Sequence, residues 1–468
     1  MTLDEFTRDV LSKQALAERL DGFKGMLLAP GEAGFDDAAA IWNGTVKARP
    51  GLIAQCTGAG DVATVVRAVA HGDIRLSVKG GGHNVAGTAV CDGGLMLDLS
   101  PMNDVAVDPD GAIVRAGGGA TWGAVDAAAQ AHGLAMPGGL VSKTGIGGLT
   151  LGGGYGWLRR KHGLSCDALI SAEIVTAEGE IRTASAEQNA DLFWAIRGGG
   201  GNFGVVTRFD YRLFPLDPEV FFSFVVYPLE EGRQVLRGWR DFCANAADEM
   251  TSLALCGTVP EDEAFEQSTH GRHFAALATM YAGPPEEGER ALSPLRQLGT
   301  PLADFSGPAP YIEVQQHFDE DYPDGMRYYW TSLYLPECPD GAIDTLLELS
   351  RERPSALTTV EFWQLGGAMA RVDADATAFG ARDAPWMLAV ESNWEDPAAD
   401  ARNTAWTREA RARMAAYSTG EGYRNFDPEP GHGPEAGGAQ IQRLREVKRR
   451  YDPANLFRHN HNITPAQG

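Results

Sequence analysis

The sequence predicts an α+β protein of two parts, and three observations support this prediction. Glycine triplets cluster in residues 1–204, at positions 80, 117, 152 and 198. Beyond about residue 218 the pattern changes to apolar strands that alternate with amphipathic helices, which indicates a sheet covered by helices on one face. A chain of 468 residues with 44% hydrophobic residues is also too long for one compact core.

The first part opens with a strand, a helix and a strand over residues 51–80. LIAQC and IRLSV are the predicted strands, and VATVVRAVA is the helix, with Asp61 as its expected N-cap and Gly72 past its end. VAVDPDGAIVRAG and AEIVTAEGEIRTAS are typical of hairpins. We also expect a helix from Thr121 to Gly133 and one long strand in NFGVVTRFDYRLFPL.

In the second part, each apolar strand precedes an amphipathic helix. FFSFVVYPL precedes RQVLRGWRDFCANA, RYYWTSLYL precedes GAIDTLLELSRER, and WMLAVESNW precedes NTAWTREARARMAAYS. The composition changes again near the end, where RLREVKRRYDPANLFRHNHNITP contains a turn at its DP pair.

The charge of the chain excludes two classes of partner. The formal net charge is −23 and the pI is near 4.8, whereas nucleic acids and anionic membranes require a basic face. No run approaches the roughly 18 apolar residues of a membrane-spanning helix. We therefore expect a small-molecule enzyme or binding module, as a monomer or a homodimer.

Cysteine and histidine usage predicts the compartment and argues against a metal. The six cysteines are scattered without CxxC pairs, and the opening MTLDEFTRDVLSKQALAERL lacks the apolar core of a signal peptide. We expect a reduced, cytoplasmic protein. The close histidine pairs, His270 with His273 and His459 with His461, lack the cysteine or carboxylate spacing of a zinc site, so no metal is expected.

Two glycine-rich segments suggest a bound dinucleotide. They are VKGGGHNVAGTAVCDGGLMLDLS and PGGLVSKTGIGGLTLGGGYGWLRRKHGLSCD. Closely spaced glycines let backbone N–H groups converge on an anion such as a pyrophosphate. The absence of GK[ST] from the sequence excludes a Walker loop. The glycines at 152, 154 and 156 follow a glycine-rich loop rather than a first strand, which disfavours a Rossmann site.

Four motifs in order give the chain a family resemblance: GGGHN, LTLGGGYGWLRRKHGLSCD, DLFWAIRGGGGNFGVVT and YDPANLFRHNHNI. The sequence resembles the berberine-bridge-enzyme-like FAD-linked oxidases, flavoproteins of the vanillyl-alcohol-oxidase type, and within them the bacterial hydroxynicotine-oxidase branch. The resemblance implies a PCMH-type FAD-binding domain of two α/β subdomains at residues 1–215. It also implies a substrate-binding domain at 216–420, with an antiparallel sheet covered by helices on one face. A C-terminal segment, 421–468, is expected to return to the FAD domain.

The resemblance also implies how FAD is held. In the family the histidine of GGGH is bonded covalently to the flavin 8α-methyl, and its match is His83. Many relatives add a bond from a cysteine, whose position is Val141 here, so we expect a single bond through His83. Thr144 lies where the family sets oxygen access, and its valine-like size favours an oxidase. The other expected cofactor contacts are Val78, Lys79, Gly80, Gly81, Gly82, Asn84, Gly87, Asp98, Ser100, Gly138, Gly145, Gly147, Gly148, Gly152, Gly153, Gly154, Tyr155, Gly156, Gly204, Val205, Asn460 and Asn462.

The implied reaction is hydride transfer from an amine or alcohol carbon of a small substrate to flavin N5. Reoxidation by O2 would then give hydrogen peroxide. Two alternatives stay open: a flavin dehydrogenase that uses another acceptor, and a non-catalytic module that binds a flavin or nucleotide.

The substrate side of the site is predicted from strand alternation and from one motif. RYYWTS and EFWQLGG each send every second residue to one face, although their aromatic residues fit equally well under the covering helices. Tyr423 in GEGYRNF matches a segment that supplies a base in alcohol-oxidising relatives, and Phe426 replaces their second tyrosine. That replacement favours an amine-like substrate, or another base such as Tyr423 or Glu361. The catalytic candidates are Tyr423, Glu361, Gln364 and Tyr329, with Arg327, Tyr328 and Trp363 as further candidates for the pocket lining.

Overall fold

The described residues form three β-sheets and a two-stranded pair, with helices packed on them. The computed structural model describes residues 12–70, 72, 74–429 and 438–467. The strands of the first two sheets lie within residues 26–212, and those of the third sheet lie within residues 219–394. This is the α+β arrangement that the sequence predicts.

The first sheet contains four short strands in the order β1-β2-β4-β3, namely β1 (Met26–Leu28), β2 (Leu52–Gln55), β3 (Leu76–Lys79) and β4 (Leu95–Asp98). Its helices are α1 (Lys13–Ala17), α2 (Phe35–Ala39) and α3 (Ala59–Val69). β4 lies between β2 and β3 and is parallel to both, so α3 is the crossover that the sequence predicts. The helix begins before Asp61, its predicted N-cap, and Gly58 is the N-cap instead. The Asp61 carboxylate accepts from the Thr57 and Lys24 N–H groups.

The second sheet is antiparallel, with five strands in the order β5-β6-β10-β8-β9. Both predicted hairpins are confirmed as β5 with β6 and β8 with β9. The predicted long strand ends at Arg212, and the next residues form a separate strand, β11, that pairs with β7. The strands are β5 (Val105–Asp108), β6 (Ile113–Gly117), β7 (Leu134–Ala135), β8 (Leu169–Val175), β9 (Ile181–Ser185), β10 (Val205–Arg212) and β11 (Phe214–Pro215). The helices are α4 (Trp122–Gln130), α5 (Ile146–Leu151), α6 (Arg159–His162), α7 (Ser165–Ala168) and α8 (Ala190–Ile196).

The third sheet has eight antiparallel strands, and helices cover one face of it as predicted. Seven follow the order β15-β12-β14-β13-β18-β19-β17, and β16 also pairs with β12. The strands are β12 (Glu219–Pro228), β13 (Met250–Thr258), β14 (His273–Tyr281), β15 (Ala303–Asp304), β16 (Gly307–Pro310), β17 (Arg327–Leu335), β18 (Thr359–Gln364) and β19 (Trp386–Trp394). The helices are α9 (Gly232–Cys243), α10 (Pro285–Leu292), α11 (Tyr311–Gln316), α12 (Asp340–Glu352), α13 (Ala368–Arg371) and α14 (Asp400–Met414).

The two faces of the third sheet bury different partners. Helices α9, α12 and α14 follow β12, β17 and β19 as predicted, and bury side chains such as Trp239, Leu346 and Met414 in one core. On the opposite face, Phe222 and Trp363 belong to a core that includes residues such as Tyr155 from the first part of the chain. This second face is the one that adjoins the glycine-rich loops.

The last helix, α15 (Gly438–Tyr451), leads the chain back to the first part. The Lys448 ammonium donates to the Asp452 carboxylate at 2.6 Å and to the Asn202 carbonyl at 2.7 Å. Lys448 and Asp452 are both fully buried. This ion pair anchors the residues that follow it, up to Asn462, beside the glycine-rich loops.

Neither a membrane-spanning helix nor a metal cluster is found in the described ranges. No helix among those residues is both long and apolar enough to cross a membrane. Within the same ranges, no group of three or more His, Cys, Asp or Glu side chains could hold a metal ion. The His270 ring is within 3.0 Å of the Asp262 carbonyl, and the His273 ring is 2.9 Å from the Arg353 guanidinium.

Candidate active site

A cavity of about 750 Å³ lies between the glycine-rich loops and the third sheet. One side is formed by both glycine-rich segments together with residues 200–206. The other side is formed by side chains of β13, β17, β18 and β19 and by the segment 317–326. The cavity therefore has two connected compartments, one against the loops and one against the sheet.

The two glycine-rich loops meet backbone to backbone at Gly81 and Gly145. A Cβ on Gly81 would lie 2.6 Å from the Gly145 Cα, and a Cβ on Gly145 would lie 2.4 Å from the Gly81 nitrogen. Gly82 has a φ of +69°, a left-handed conformation that glycine adopts without a steric penalty. Only glycine fits this junction, which lies directly beside His83.

Most of the residues predicted to bind the cofactor line this cavity. They come from both loops, from the start of β10 and from the C-terminal segment, so the fold brings four separate stretches of sequence together. These residues are Val78, Gly80, Gly81, Gly82, His83, Asn84, Val141, Thr144, Gly145, Gly147, Gly148, Gly152, Tyr155, Gly204, Val205 and Asn460.

The other predicted cofactor residues lie behind the wall and support it. The Lys79 ammonium donates to the Ala38 carbonyl at 2.7 Å, and the buried Asp98 carboxylate accepts from the Gln55 side chain and from the Ser100 N–H. These positions lie outside the cavity lining, and their direct contact with the cofactor stays a prediction. They are Lys79, Gly87, Asp98, Ser100, Gly138, Gly153, Gly154, Gly156 and Asn462.

His83 lies where the two loops meet and is almost enclosed. Its ring stacks on the Trp42 indole with centroids 4.3 Å apart, and its Nδ1 lies 3.4 Å from the Thr144 hydroxyl. Burial lowers the pKa of His83 to about 4, so the imidazole is neutral near pH 7. Its buried Nε2 has no hydrogen-bond partner among the described residues.

None of the cysteines in the described part of the chain lines the cavity. All six cysteines belong to the described part of the chain and are buried, and none of them is among the lining residues. Val141 lines the wall. Cys166 lies behind the loop, where its N–H donates to the Gly153 carbonyl at 2.9 Å.

The loop compartment has the features that FAD requires. Gly148 and Gly201 have open space where a Cβ would stand, so their backbone can approach a pyrophosphate closely. The Asn460 amide donates to the Gly201 carbonyl at 3.1 Å. The buried side-chain oxygens of Asn460 and Asn462 have no partner within the described residues, and such acceptors can receive the N–H groups of a flavin or adenine.

Glu361 and Trp363 project from β18 into the sheet compartment. The Glu361 carboxylate accepts from the Thr359 hydroxyl at 2.7 Å and from the Trp363 indole N–H at 2.8 Å. Burial raises the pKa of Glu361, because the charged form loses its hydration. A carboxyl whose pKa is shifted upward is suited to accept a proton during a reaction near pH 7.

Tyr423 lines the cavity between the two compartments. Its hydroxyl oxygen accepts from the Gly154 N–H at 3.1 Å and from the Asn425 amide at 2.7 Å. Burial raises the pKa of Tyr423 despite these donors, so the phenol keeps its proton at neutral pH. Phe426 packs edge-on against Tyr423 with ring centroids 5.3 Å apart.

The structure corrects two of the catalytic predictions. Gln364 points to the helix-covered face of β18, where its amide donates to the Cys243 carbonyl at 3.2 Å. Tyr329 faces a second cavity of about 390 Å³ and donates to the Glu429 carboxylate at 2.7 Å. Successive side chains of a strand point to opposite faces, so neither residue can share the compartment of Glu361.

Two further lining candidates serve packing instead. The Tyr328 ring stacks on Trp42 with centroids 3.6 Å apart. The Arg327 guanidinium pairs with the Asp400 carboxylate and donates to the Gly44 carbonyl. Both side chains join the sheet to the first part of the chain and lie outside the cavity lining.

Several residues of the site were missed by the sequence analysis. Trp42 covers His83, and no local pattern distinguishes it from a core tryptophan. Glu391 lies in the otherwise mostly apolar WMLAVESNW, and a lone acid in such a strand is the signal that could have identified it. Tyr322 donates to Glu391 at 2.6 Å, a contact between segments that are distant in sequence.

Comparison with known proteins finds an FAD-binding domain over the part of the chain that contains both glycine-rich loops. The family model described as FAD binding domain matches residues 50–185, and the model described as Berberine and berberine like matches residues 422–464. (R)-6-hydroxynicotine oxidase of Paenarthrobacter nicotinovorans is 33% identical, with 94% of this chain and 97% of the relative covered. An uncharacterized FAD-linked oxidoreductase of Bacillus subtilis (strain 168) is 29% identical, with coverage of 94% and 97%.

Solved structures confirm the predicted fold class. 6-Hydroxy-D-nicotine oxidase from Arthrobacter nicotinovorans matches with a TM-score of 0.84 and 30% identity, over 95% of this chain and 99% of that chain. Berberine bridge enzyme from Eschscholzia californica matches with a TM-score of 0.86 over 97% and 99%. Its identity of 20% supports the fold alone. With the matched motifs and the loop cavity, these similarities show that the chain belongs to the berberine-bridge-enzyme-like FAD-linked oxidoreductases.

Proposed function

We propose that the protein is an FAD-dependent oxidase whose flavin is attached covalently, through its 8α-methyl group, to His83 alone. The observation that carries the proposal is the buried His83 Nε2, which has no partner among the described residues and belongs to a neutral imidazole in the cavity wall. A bound flavin would supply the hydride acceptor for a carbon of a small amine or alcohol and the route by which the electrons reach O2 to give hydrogen peroxide.

The proposed roles of the three parts of the chain follow the two compartments. Residues 1–215 hold the cofactor, 216–420 supply the substrate wall, and 421–468 return to close the cofactor site. Thr144 is a small side chain beside His83, which supports access of O2 to the ring. Relatives named as oxidases of hydroxynicotine and of oligosaccharides support oxygen as the acceptor.

We assign proton acceptance to Glu361 rather than to Tyr423. Burial raises the pKa of Glu361 above its ordinary acidic value, whereas it raises the pKa of Tyr423, which is already above neutrality, still further. A base is most effective when its pKa lies near the working pH. Thr359 and Trp363 hold the Glu361 carboxylate in place through its two hydrogen bonds.

Acid precipitation of the purified protein tests the covalent bond. We expect the wild-type pellet to keep its yellow flavin and the His83→Ala pellet to lose it to the supernatant. His132→Ala, at an exposed position, is the matched control and should keep the flavin. Release of flavin from the wild type would refute the covalent bond.

Oxygen consumption tests the oxidase assignment separately. Addition of an oxidisable amine or alcohol to the aerated protein should give one hydrogen peroxide for each O2 consumed. Reduction of the flavin by substrate without peroxide under air would instead identify a dehydrogenase.

A further inference from the structure

Two buried carboxyl groups lie side by side in the sheet compartment. Glu361 on β18 is 5% exposed and Glu391 on β19 is 2% exposed. The strands are antiparallel neighbours, with Thr359 opposite Glu391 and Glu361 opposite Ala389. The two glutamates are thus diagonal neighbours on one face of the sheet, a geometry that typically separates the Cα atoms by about 7–8 Å, and both line the cavity.

These acids have no positive partner in the described chain. Glu361 accepts only from Thr359 and Trp363, and Glu391 only from the Tyr322 hydroxyl at 2.6 Å. Burial raises the pKa of Glu391 well above its usual range, and the neighbouring Glu361 raises it further. Asp321, which also lines the cavity, adds a third acid at its more exposed side.

The basic residues that line the same cavity are engaged elsewhere. The Arg424 guanidinium donates to the Gly199 carbonyl at 3.0 Å, in the cofactor compartment. His317 packs edge-on against Phe222 and Phe224, and burial lowers its pKa. His83 lies in the cofactor wall, the His459 ring is 2.8 Å from the Val90 carbonyl, and the His461 ring is 3.7 Å from the Asp427 carboxylate. Burial favours the protonated form of both glutamates in the empty site, and a cation bound between them would supply the counter-charge that lets them ionise.

Aromatic rings surround the acid pair. Trp330 lies directly opposite Glu391 on the neighbouring strand β17, and its indole N–H donates to the Asn393 side chain at 2.8 Å. Phe426 packs edge-on against Trp330 and Trp363, with centroids 5.2 Å and 5.6 Å apart. Indole and phenyl faces attract organic cations, and this attraction strengthens where water is excluded.

We propose that the substrate enters as an organic ammonium ion, which binds between the Glu361 and Glu391 carboxyl groups and the rings of Trp330, Trp363 and Phe426. The inference rests on the proposed function and narrows its substrate class from amines or alcohols to amines. Glu391, positioned by Tyr322, recognises the charge. Glu361 then takes a proton: an ammonium N–H bond breaks, a carboxyl O–H bond forms, and the nitrogen keeps the lone pair that assists hydride loss from its neighbouring carbon.

Binding of a permanent cation tests the proposal without turnover. The probes are phenyltrimethylammonium and its neutral isostere tert-butylbenzene, titrated at pH 8 into the flavin-loaded protein by calorimetry. We expect the cation to bind at least tenfold more tightly than the isostere. Equal affinity of the two probes would overturn the proposal.

Variants assign the charge recognition to Glu391. Glu391→Gln should weaken binding of the cation at least tenfold and leave binding of the isostere unchanged. A misfolded variant would bind both probes more weakly and is recognised in this way. Glu395→Gln, exposed just past the end of β19, is the matched control and should bind both probes like the wild type. An unchanged preference for the cation in Glu391→Gln would overturn the role of this residue.

The outcomes separate this inference from the proposed function. Peroxide production from an alcohol, with no preference for the cation probe, would refute the ammonium site and leave the oxidase standing. A protein that prefers the cation but lacks bound flavin would refute the oxidase and leave the ammonium site standing.

Discussion

Lys448 offers a quantitative test of how the C-terminal segment is held. Its ammonium is fully buried and donates to the Asp452 carboxylate and to the carbonyls of Asn202 and Phe457. The Asp452 carboxylate also accepts from the N–H groups of Leu456 and Phe457, at 2.7 Å and 2.8 Å. This cluster lies just before Asn460, which lines the cofactor compartment.

Lys448→Met preserves most of the side-chain volume but leaves the Asp452 carboxylate buried without its counter-charge. Removal of one member of a buried ion pair costs about 3–5 kcal/mol. An unfolding entropy of about 2.1 cal/mol/K per residue, over 468 residues, gives about 1 kcal/mol/K. We therefore expect Tm to fall by about 3–5 °C.

Differential scanning calorimetry of the flavin-loaded protein measures this shift. Arg449→Met, at the exposed next position of α15, is the control and should change Tm by less than about 1 °C. Lys448→Met combined with Asp452→Leu should recover only part of the loss, because the N–H groups of Leu456 and Phe457 stay without an acceptor. A Tm for Lys448→Met equal to that of Arg449→Met would refute the reasoning.

Two further predictions concern buried hydroxyl and carboxyl groups. Tyr423→Phe should lower kcat less than tenfold in steady-state assays, because its phenol keeps its proton, whereas a loss of about 10²–10⁴-fold would identify it as the base instead of Glu361. The Asp126 carboxylate accepts from Gln315 at 2.9 Å, and burial raises its pKa from 3.8 to about 7. The contribution of the protonated carboxyl to the free energy of unfolding is fully present below pH 3.8 and is lost as the pH rises through about 7. Asp126→Asn cannot ionise, so the Tm of this variant relative to that of the wild type should rise between pH 5 and pH 8. A Tm difference between the two proteins that does not depend on pH would contradict this prediction.

The sequence alone determined the cofactor side of the site to a large extent. Glycine is needed where backbones touch or where φ is positive, as at Gly81, Gly82 and Gly145. This requirement is therefore visible in the local sequence as glycine clusters. The same holds for the hairpins and for the alternation of strands and helices, whose hydrophobic periods are local properties of the chain.

The substrate side was decided only by the tertiary structure. Both faces of β18 and β19 are buried, so hydrophobic alternation could not tell which face meets the cavity, and Gln364 was predicted together with Glu361. The same ambiguity hid Glu391, which acquires its meaning from Glu361 on the next strand and from Tyr322 on a distant loop. The sequence thus determines contacts between residues that are neighbours along the chain. Which buried side chains share a compartment is decided only in the assembled sheet, because it depends on strand register and on what packs against each face.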